Sequence, residues 1–250
     1  MDDLPELKKL NITMEIKYFD YRSGGEIFMT KLGDLIKANQ VQNILEIGSS
    51  KYPSLSKAFI DQYDVNFSVM DIEPADLTEL ELENDYIDNY FVHDITKPFK
   101  TDLKFDLIIS KFIWEHIEQI DLFHININQL LKDEGVAIHY FPCLSTLPFL
   151  INHVLPSNLS DKVLNTVNKR EKEKYPAYYK WCYGPSTRNI RKIKAIGYDI
   201  TSYYCFFGHN YYKKNLIILH YFELLKLKLL VRFRIKSLCS YAMVVLKKSG

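Results

Sequence analysis

Residues 43–50, NILEIGSS, constrain the fold more than any other stretch of this chain. Ile44, Leu45 and Ile47 make a nearly continuous apolar run between Gln42 and Gly48. That is the pattern of a short strand covered on both faces within a parallel sheet. Strands of this kind present ligands at their carboxyl ends. Gly48, Ser49 and Ser50 form a turn through which backbone can closely approach a bound molecule, and Glu46 sets a carboxylate beneath it. A nucleoside cofactor is the first expectation.

The segments around this strand alternate in type. The periodicity of Ile27, Phe28, Leu32, Leu35 and Ile36 predicts a helix over 24–40. Ser54 is expected to cap a helix running to Tyr63, followed by a second strand over 66–70 closed by Asp71. Residues 76–85 read as a loop or short helix, and 90–93 as a third strand ending at Asp94. FDLIIS, 105–110, is the fourth strand, followed by a helical region carrying Trp114, Glu115, His116 and Ile117. A helix over 121–131 should break at a turn over 133–135, and 135–140 is a fifth strand stopped by Pro142. Alternation of this kind implies right-handed crossovers and a parallel sheet with helices on both faces, a Rossmann-like, doubly wound α/β fold.

Residues 141–185 interrupt the alternation with five prolines, the run NKREKEK and the aromatic cluster YPAYYKWCY. They read as an insertion over the sheet's edge. A helix over 186–196, a strand over 198–206, a mixed connection with Lys and Arg interleaved over 226–236, and a strand over 241–246 complete the chain. Residues 1–22 are mixed and polar and are assigned no element. At 250 residues the expectation is a single domain.

Asp71 lies 23 residues after Gly48, where an acid at the end of a second strand meets ribose hydroxyls. A dinucleotide is disfavoured. Pyrophosphate binding by G-x-G-x-x-G needs glycines at positions that here hold Ser50 and Pro53, which argues against the enzymatic rival, an NAD-dependent oxidoreductase. The turn suits a nucleoside without phosphates.

These residues resemble the class I S-adenosylmethionine-dependent methyltransferases over 43–140 and the final strand. ILEIGSS is similar to that family's first motif, MDIEP to its second, VHDIT to its adenine-contacting segment, and FDLIISKFIWEHI to its fourth-strand motif. LLKDEGVAIHYFP resembles its LLKPGG turn and fifth strand. YPAYYKWCYGP, with HYFP and LPFLINHVLP, resembles a bacterial subset often encoded among sugar or secondary-metabolite genes. The resemblance implies a seven-stranded, mainly parallel sheet with a late antiparallel strand, S-adenosylmethionine as cofactor, and methyl transfer to a small molecule or glycan. It also implies that Glu46, Gly48 and Ser49 shape the methionine and ribose site, that Asp71 holds the ribose hydroxyls, that Asp94 meets the adenine amine, and that Ser110 sits beside the sulfonium. Relatives with E-x-x-E-H after the fourth strand bind a divalent metal. Phe112 replaces the first acid here and removes an oxygen ligand, so no metal is expected.

Methyl transfer needs positioning first; a hydroxyl acceptor also needs a base, for which His139 and His116 are the candidates, with His153 and His209 weaker. Each site residue also has a plainer reading. Gly48 can merely end a strand, Asp71 and Asp94 can serve as turn residues, Glu115 and His116 as local caps, and His139 as a core histidine. Tyr175, Tyr178, Tyr179, Trp181 and Tyr183 can stack on an acceptor or pack the insertion onto the sheet. A degenerate fold acting as a non-catalytic binding module is the non-enzymatic reading. A net charge of +1 gives no general attraction to nucleic acid. Four scattered cysteines without a CxxC pair, an N-terminus lacking signal-peptide character and the absence of an 18-residue apolar run together predict a cytoplasmic protein with free thiols. LKLKLLVRFRIKS, 225–237, reads as a solvated face around buried leucines rather than a membrane contact.

Overall fold

The computed structural model describes residues 14–154 and 176–249. In chain order the elements are β1 (Glu15–Asp20), α1 (Gly24–Asn39), β2 (Asn43–Ile47), α2 (Lys57–Tyr63), β3 (Asn66–Asp71), α3 (Pro74–Glu83), β4 (Asn89–Val92) and β5 (Phe105–Lys111). There follow α4 (Ile120–Leu130), β6 (Leu131–Pro142), α5 (Leu147–Val154), α6 (Thr187–Ala195), β7 (Tyr198–Phe207), α7 (Ile217–Phe233) and β8 (Tyr241–Lys248). The strands form one sheet in the order β1-β7-β8-β6-β5-β2-β3-β4. All neighbours are parallel except β8, which runs antiparallel to β6 and β7.

The doubly wound α/β fold is as expected from the apolar runs. From β2 the chain moves outward through β3 to β4, then returns to place β5 on the other side of β2. In open α/β sheets a reversal of this kind is where ligands bind, outside the carboxyl ends of the strands beside it, here β2 and β5. Leu32 and Ile36 of α1, Ile60 of α2 and Leu77 of α3 pack with Ile44 and Phe67 on one face. Phe123 of α4, Ile190 of α6 and Leu227 of α7 lie in the opposite core with Leu45, Ile47 and Ile108.

Three local expectations are corrected. The sheet has eight strands rather than seven, because Glu15–Asp20 joins the edge parallel to β7. There Tyr18 stacks on Phe207 at 6.3 Å and Phe19 lies 5.8 Å from Phe206; such aromatic cross-strand pairs hold an edge strand that local pattern does not announce. The N-cap of α2 is Ser56, whose side chain accepts from the Phe59 N–H, not Ser54. Residues 133–135 form a bulge inside β6 rather than a turn before it: the register with β5 jumps from Phe105↔Leu131 to Leu107↔Val136, with Glu134 at φ 64°. Of the two readings of 76–85, loop or short helix, the helix is the one found, over Pro74–Glu83, with Pro74 at the helix start, where its missing N–H costs nothing.

The long connection between β7 and β8 is also helical. Phe206 pairs with Tyr241, so α7 leaves and rejoins the sheet at the same end and lies against β1 and β7. Gly208, at φ 84°, makes this approach possible: a Cβ there would meet Leu227 Cδ1 at 2.3 Å.

Candidate functional site

At this reversal lies the Gly48 turn. The Gly48 N–H donates to the Met70 carbonyl at 2.8 Å, which ties the end of β2 to the end of β3. Gly48 has φ 76°, and a Cβ would lie 2.3 Å from Ile113 Cγ2, so the residue is required both by its conformation and by the chain that follows β5. Ser49 is almost fully buried, and its hydroxyl has no hydrogen-bond partner among the described residues. Ser50 follows at φ 47°, an uncommon conformation for a residue with a Cβ.

Asp71 closes the turn from the end of β3. Its Oδ2 accepts the Ser50 N–H at 2.7 Å and its Oδ1 the Glu73 N–H at 3.1 Å. Each oxygen keeps a further lone pair. The Ser50 hydroxyl donates onward to Asp76 at the start of α3. Asp94, beyond β4, accepts the Thr96 N–H at 3.0 Å and the Thr96 hydroxyl at 2.7 Å, with Lys97 at 3.4 Å. Burial raises its pKa, but the Thr96 hydrogen bonds and Lys97 outweigh it, and the carboxyl lies below its usual range. The structure thus brings Gly48, Ser49 and Asp71 together at the carboxyl ends of β2 and β3, and places Asp94 beyond the end of the adjacent strand.

Glu46 is buried beneath the turn, where both carboxylate oxygens accept the Ser54 N–H at 2.9 and 3.1 Å. Desolvation pushes its pKa up to about 7, against the opposing effects of Ser54 and Lys111. Its role here is to hold the chain between the turn and α2.

Glu115, for which a local cap is the plainer reading, is buried, its Oε2 has no hydrogen-bond partner among the described residues, and desolvation pushes its pKa up to about 8. A carboxyl raised in the folded state is protonated there after the unfolded chain has lost its proton, so stability falls as pH rises from the unfolded value toward 8. The buried histidines act oppositely. Burial lowers His124 to about 3 and His209 to about 4, so their contribution is lost on acidification and is constant above about pH 6.5. Between pH 6.5 and 8 Glu46 and Glu115 lower stability as pH rises, while Cys239, held down to about 5 by Cys143 and Cys205, acts the other way. We expect Glu115→Gln to gain stability relative to the wild type as pH rises through that window, by a few kcal/mol at pH 8 on an order-of-magnitude scale; urea melts of both proteins at stepped pH measure the difference.

His139 and Ser110 sit one strand apart, with the Ser110 hydroxyl 2.7 Å from His139 Nδ1. Both are fully buried. The His139 ring lies 5.0 Å from Trp114 and 5.4 Å from His124, on the α4 side of the sheet. Burial first, and His124 second, hold its pKa well below the usual imidazole range. His116 lies in the short 3-10 turn after β5, its side chain about a third exposed. Its Nδ1 is 2.7 Å from the Pro176 carbonyl, which can only accept, so Nδ1 carries the proton.

The same 3-10 turn anchors the aromatic segment. The Glu115 carbonyl accepts the Tyr178 and Tyr179 N–H groups at 2.6 and 3.1 Å. Tyr179 and Trp181 both have positive φ and are buried, which answers the stacking question for these two: they pack. Tyr183 is exposed, and Tyr175 lies outside the described residues. Trp181 also walls a cleft of about 640 Å³ lined by Ile120, Asp121, Lys180, Arg188, Lys192 and Lys236 among others. Sequence reasoning missed this cleft, since its cations come from three separate segments.

No family model and no curated protein matches the sequence. Among solved structures, the chain is similar to a sarcosine dimethylglycine methyltransferase, so described provisionally, from Galdieria sulphuraria, with 13% identity, coverage of 90% of this chain and 84% of that one, and a TM-score of 0.56. It is similar to an S-adenosylmethionine-dependent methyltransferase from Clostridium acetobutylicum, at 13% identity, 92% and 93% coverage and a TM-score of 0.55. The N-methyltransferase NodS from Bradyrhizobium japonicum, in complex with S-adenosyl-L-homocysteine, matches at 14% identity, 90% and 87% coverage and a TM-score of 0.50. At these identities the likeness is one of fold.

Proposed function

We propose that this chain, which has the fold of those methyltransferases, is a single S-adenosylmethionine-dependent methyltransferase domain acting on a small-molecule or glycan acceptor. The observation that carries the reading is the junction at the strand-order reversal, where Asp71 accepts the Ser50 N–H of the Gly48 turn and the buried Ser49 hydroxyl has no hydrogen-bond partner among the described residues. A buried hydroxyl in want of a partner, beside a turn whose glycine keeps the floor open, fits a nucleoside with an amino-acid tail. Gly48 and Ser49 would border the methionine and ribose, Asp71 would accept from the ribose hydroxyls, and Asp94 would meet the adenine amine. Glu46 holds the turn from below. The cofactor supplies an electrophilic methyl group on a sulfonium.

The chain's part is then to align an acceptor and exclude water. The cleft beside Trp181 opens next to the start of α4, the helix that follows the strand end carrying Ser110, and is the acceptor entrance on this reading. Where the acceptor is a hydroxyl, exposure favours His116 over the fully buried His139 as the group that takes its proton.

Asp71→Ala removes the acceptor of the Ser50 and Glu73 N–H groups as well as the proposed ribose contact. We expect affinity for S-adenosylhomocysteine to fall by at least ~1 kcal/mol, since hydrogen bonds to a charged group exceed the neutral average. Calorimetry on a folded variant checks this, and unchanged affinity would take Asp71 out of the site.

A further inference from the structure

Helix α7 has two apolar faces and only one is used by the fold. Glu223, Leu227 and Leu230 point inward and are buried. On the opposite side Ile218, Phe222, Leu225, Leu229 and Phe233, spaced in steps of three and four, are 48 to 71% exposed. That spacing puts them on one stripe. Single exposed apolar residues are ordinary; a stripe four turns long with two phenylalanines is an interaction surface. The expected solvated face around buried leucines is found at Leu227 and Leu230, whereas Leu225 and Leu229 lie exposed with the stripe.

Charge names the occupant. From Lys213 to Lys236 the sequence holds seven Lys and Arg residues against one acid, Glu223. That acid is buried, paired with Lys226 at 2.6 Å and 3.6 Å from His209. Lys228 and Arg232 lie on the exposed side beside the stripe and have no ion-pair partner among the described residues. A second copy of this chain would bring like charges together along the stripe, with no exposed acid in the segment to offset them. An anionic bilayer satisfies both features: the apolar stripe enters the acyl boundary while the cations meet phosphates. The positive run continues past the helix to Lys236, which lines the cleft together with Lys180, Arg188 and Lys192. Among the described residues no helix is long and apolar enough to cross a membrane, which fits a helix lying in the interface plane.

We propose that the exposed face of α7 docks this protein on an anionic lipid surface. The test is co-sedimentation of the full chain with phosphatidylglycerol–phosphatidylcholine vesicles and with pure phosphatidylcholine vesicles, across a salt series. The wild type should bind the anionic vesicles, bind the neutral ones far less, and lose binding as salt rises. Each cation near the surface is worth about fivefold in partitioning, so Lys228→Glu with Arg232→Glu should lower binding by about 25-fold or more. Phe222→Ser with Leu225→Ser should lower it to a similar extent. Both pairs of changes lie on the exposed side, and an unchanged thermal melt confirms that the fold is intact. Absence of vesicle binding by the wild type would overturn the proposal. So would a concentration-dependent dimer in sedimentation equilibrium that the serine variant abolishes, with no lipid binding, which would assign the stripe to a second copy.

Discussion

Gly48→Val is expected to abolish measurable S-adenosylhomocysteine binding and to destabilise the fold by on the order of 3 kcal/mol. Two independent causes add. The residue holds φ at 76°, a region that disfavours a β-branched side chain most strongly. Its first side-chain carbon would also stand 2.3 Å from Ile113 Cγ2, so either the Gly48 turn or the chain after β5 must move. Movement of the turn breaks the Gly48 to Met70 hydrogen bond and displaces Ser50 from Asp71, which dismantles the junction. Gly48→Ala shares the backbone conformation and the first carbon without the branch, and should fall between wild type and Val in both stability and affinity. Denaturant midpoints and calorimetry measure the two effects separately. A valine variant that binds as tightly as wild type would show that the ligand does not approach this turn.

Trp114→Ala should cost about 3 to 5 kcal/mol of stability, the range for truncating a fully buried large aromatic. Trp114 stacks on Phe141 with ring centroids 4.2 Å apart and 9° between planes, and meets His124 edge-on at 4.6 Å. It joins the segment after β5 to β6 and α4, and the neighbouring Glu115 carbonyl carries the aromatic segment. Its loss should therefore loosen both the core and the cleft wall. Its indole N–H is buried without a hydrogen-bond partner among the described residues. Trp114→Phe keeps most of the apolar area and removes that unpaired donor, so it should recover most of the stability, within about 1.5 kcal/mol of wild type. Urea denaturation distinguishes the three proteins, and Trp181 remains as the fluorescent probe.

The central strands were legible because burial on both faces leaves a mark in composition. NILEI and FDLII are apolar almost throughout, and the acid or glycine at each end marks where they leave the sheet. β1 carries no such mark. EIKYFD is half-buried along most of its length and is held by pairing with β7, a partner 187 residues away in the register Glu15↔Ser202. Helix α7 escaped for the opposite reason: apolar residues on both of its faces cancel the sidedness by which a helix is recognised. The bulge over 133–135 reads as a turn because Asp-Glu-Gly has turn chemistry, while the ladder on either side decides otherwise.

In the candidate site, local signals worked where the chain itself builds the feature. The Gly48 turn and Asp71 are brought together by adjacent strands and by a hydrogen bond between their own loops. Glu115 showed nothing of its burial, because what desolvates it is the segment after Pro176, far along the chain. The cleft beside Trp181 likewise forms only when the start of α4, the start of α6 and the residues after α7 meet.

The most direct test of the account is calorimetric titration of the folded protein with S-adenosylhomocysteine, with NAD as control. The account predicts saturable single-site binding of S-adenosylhomocysteine, weakened by Asp71→Ala and lost in Gly48→Val, and no binding of NAD. A folded wild-type protein that takes up neither ligand would contradict it and assign the site to a non-catalytic module; binding of NAD instead would contradict it in favour of a dinucleotide enzyme.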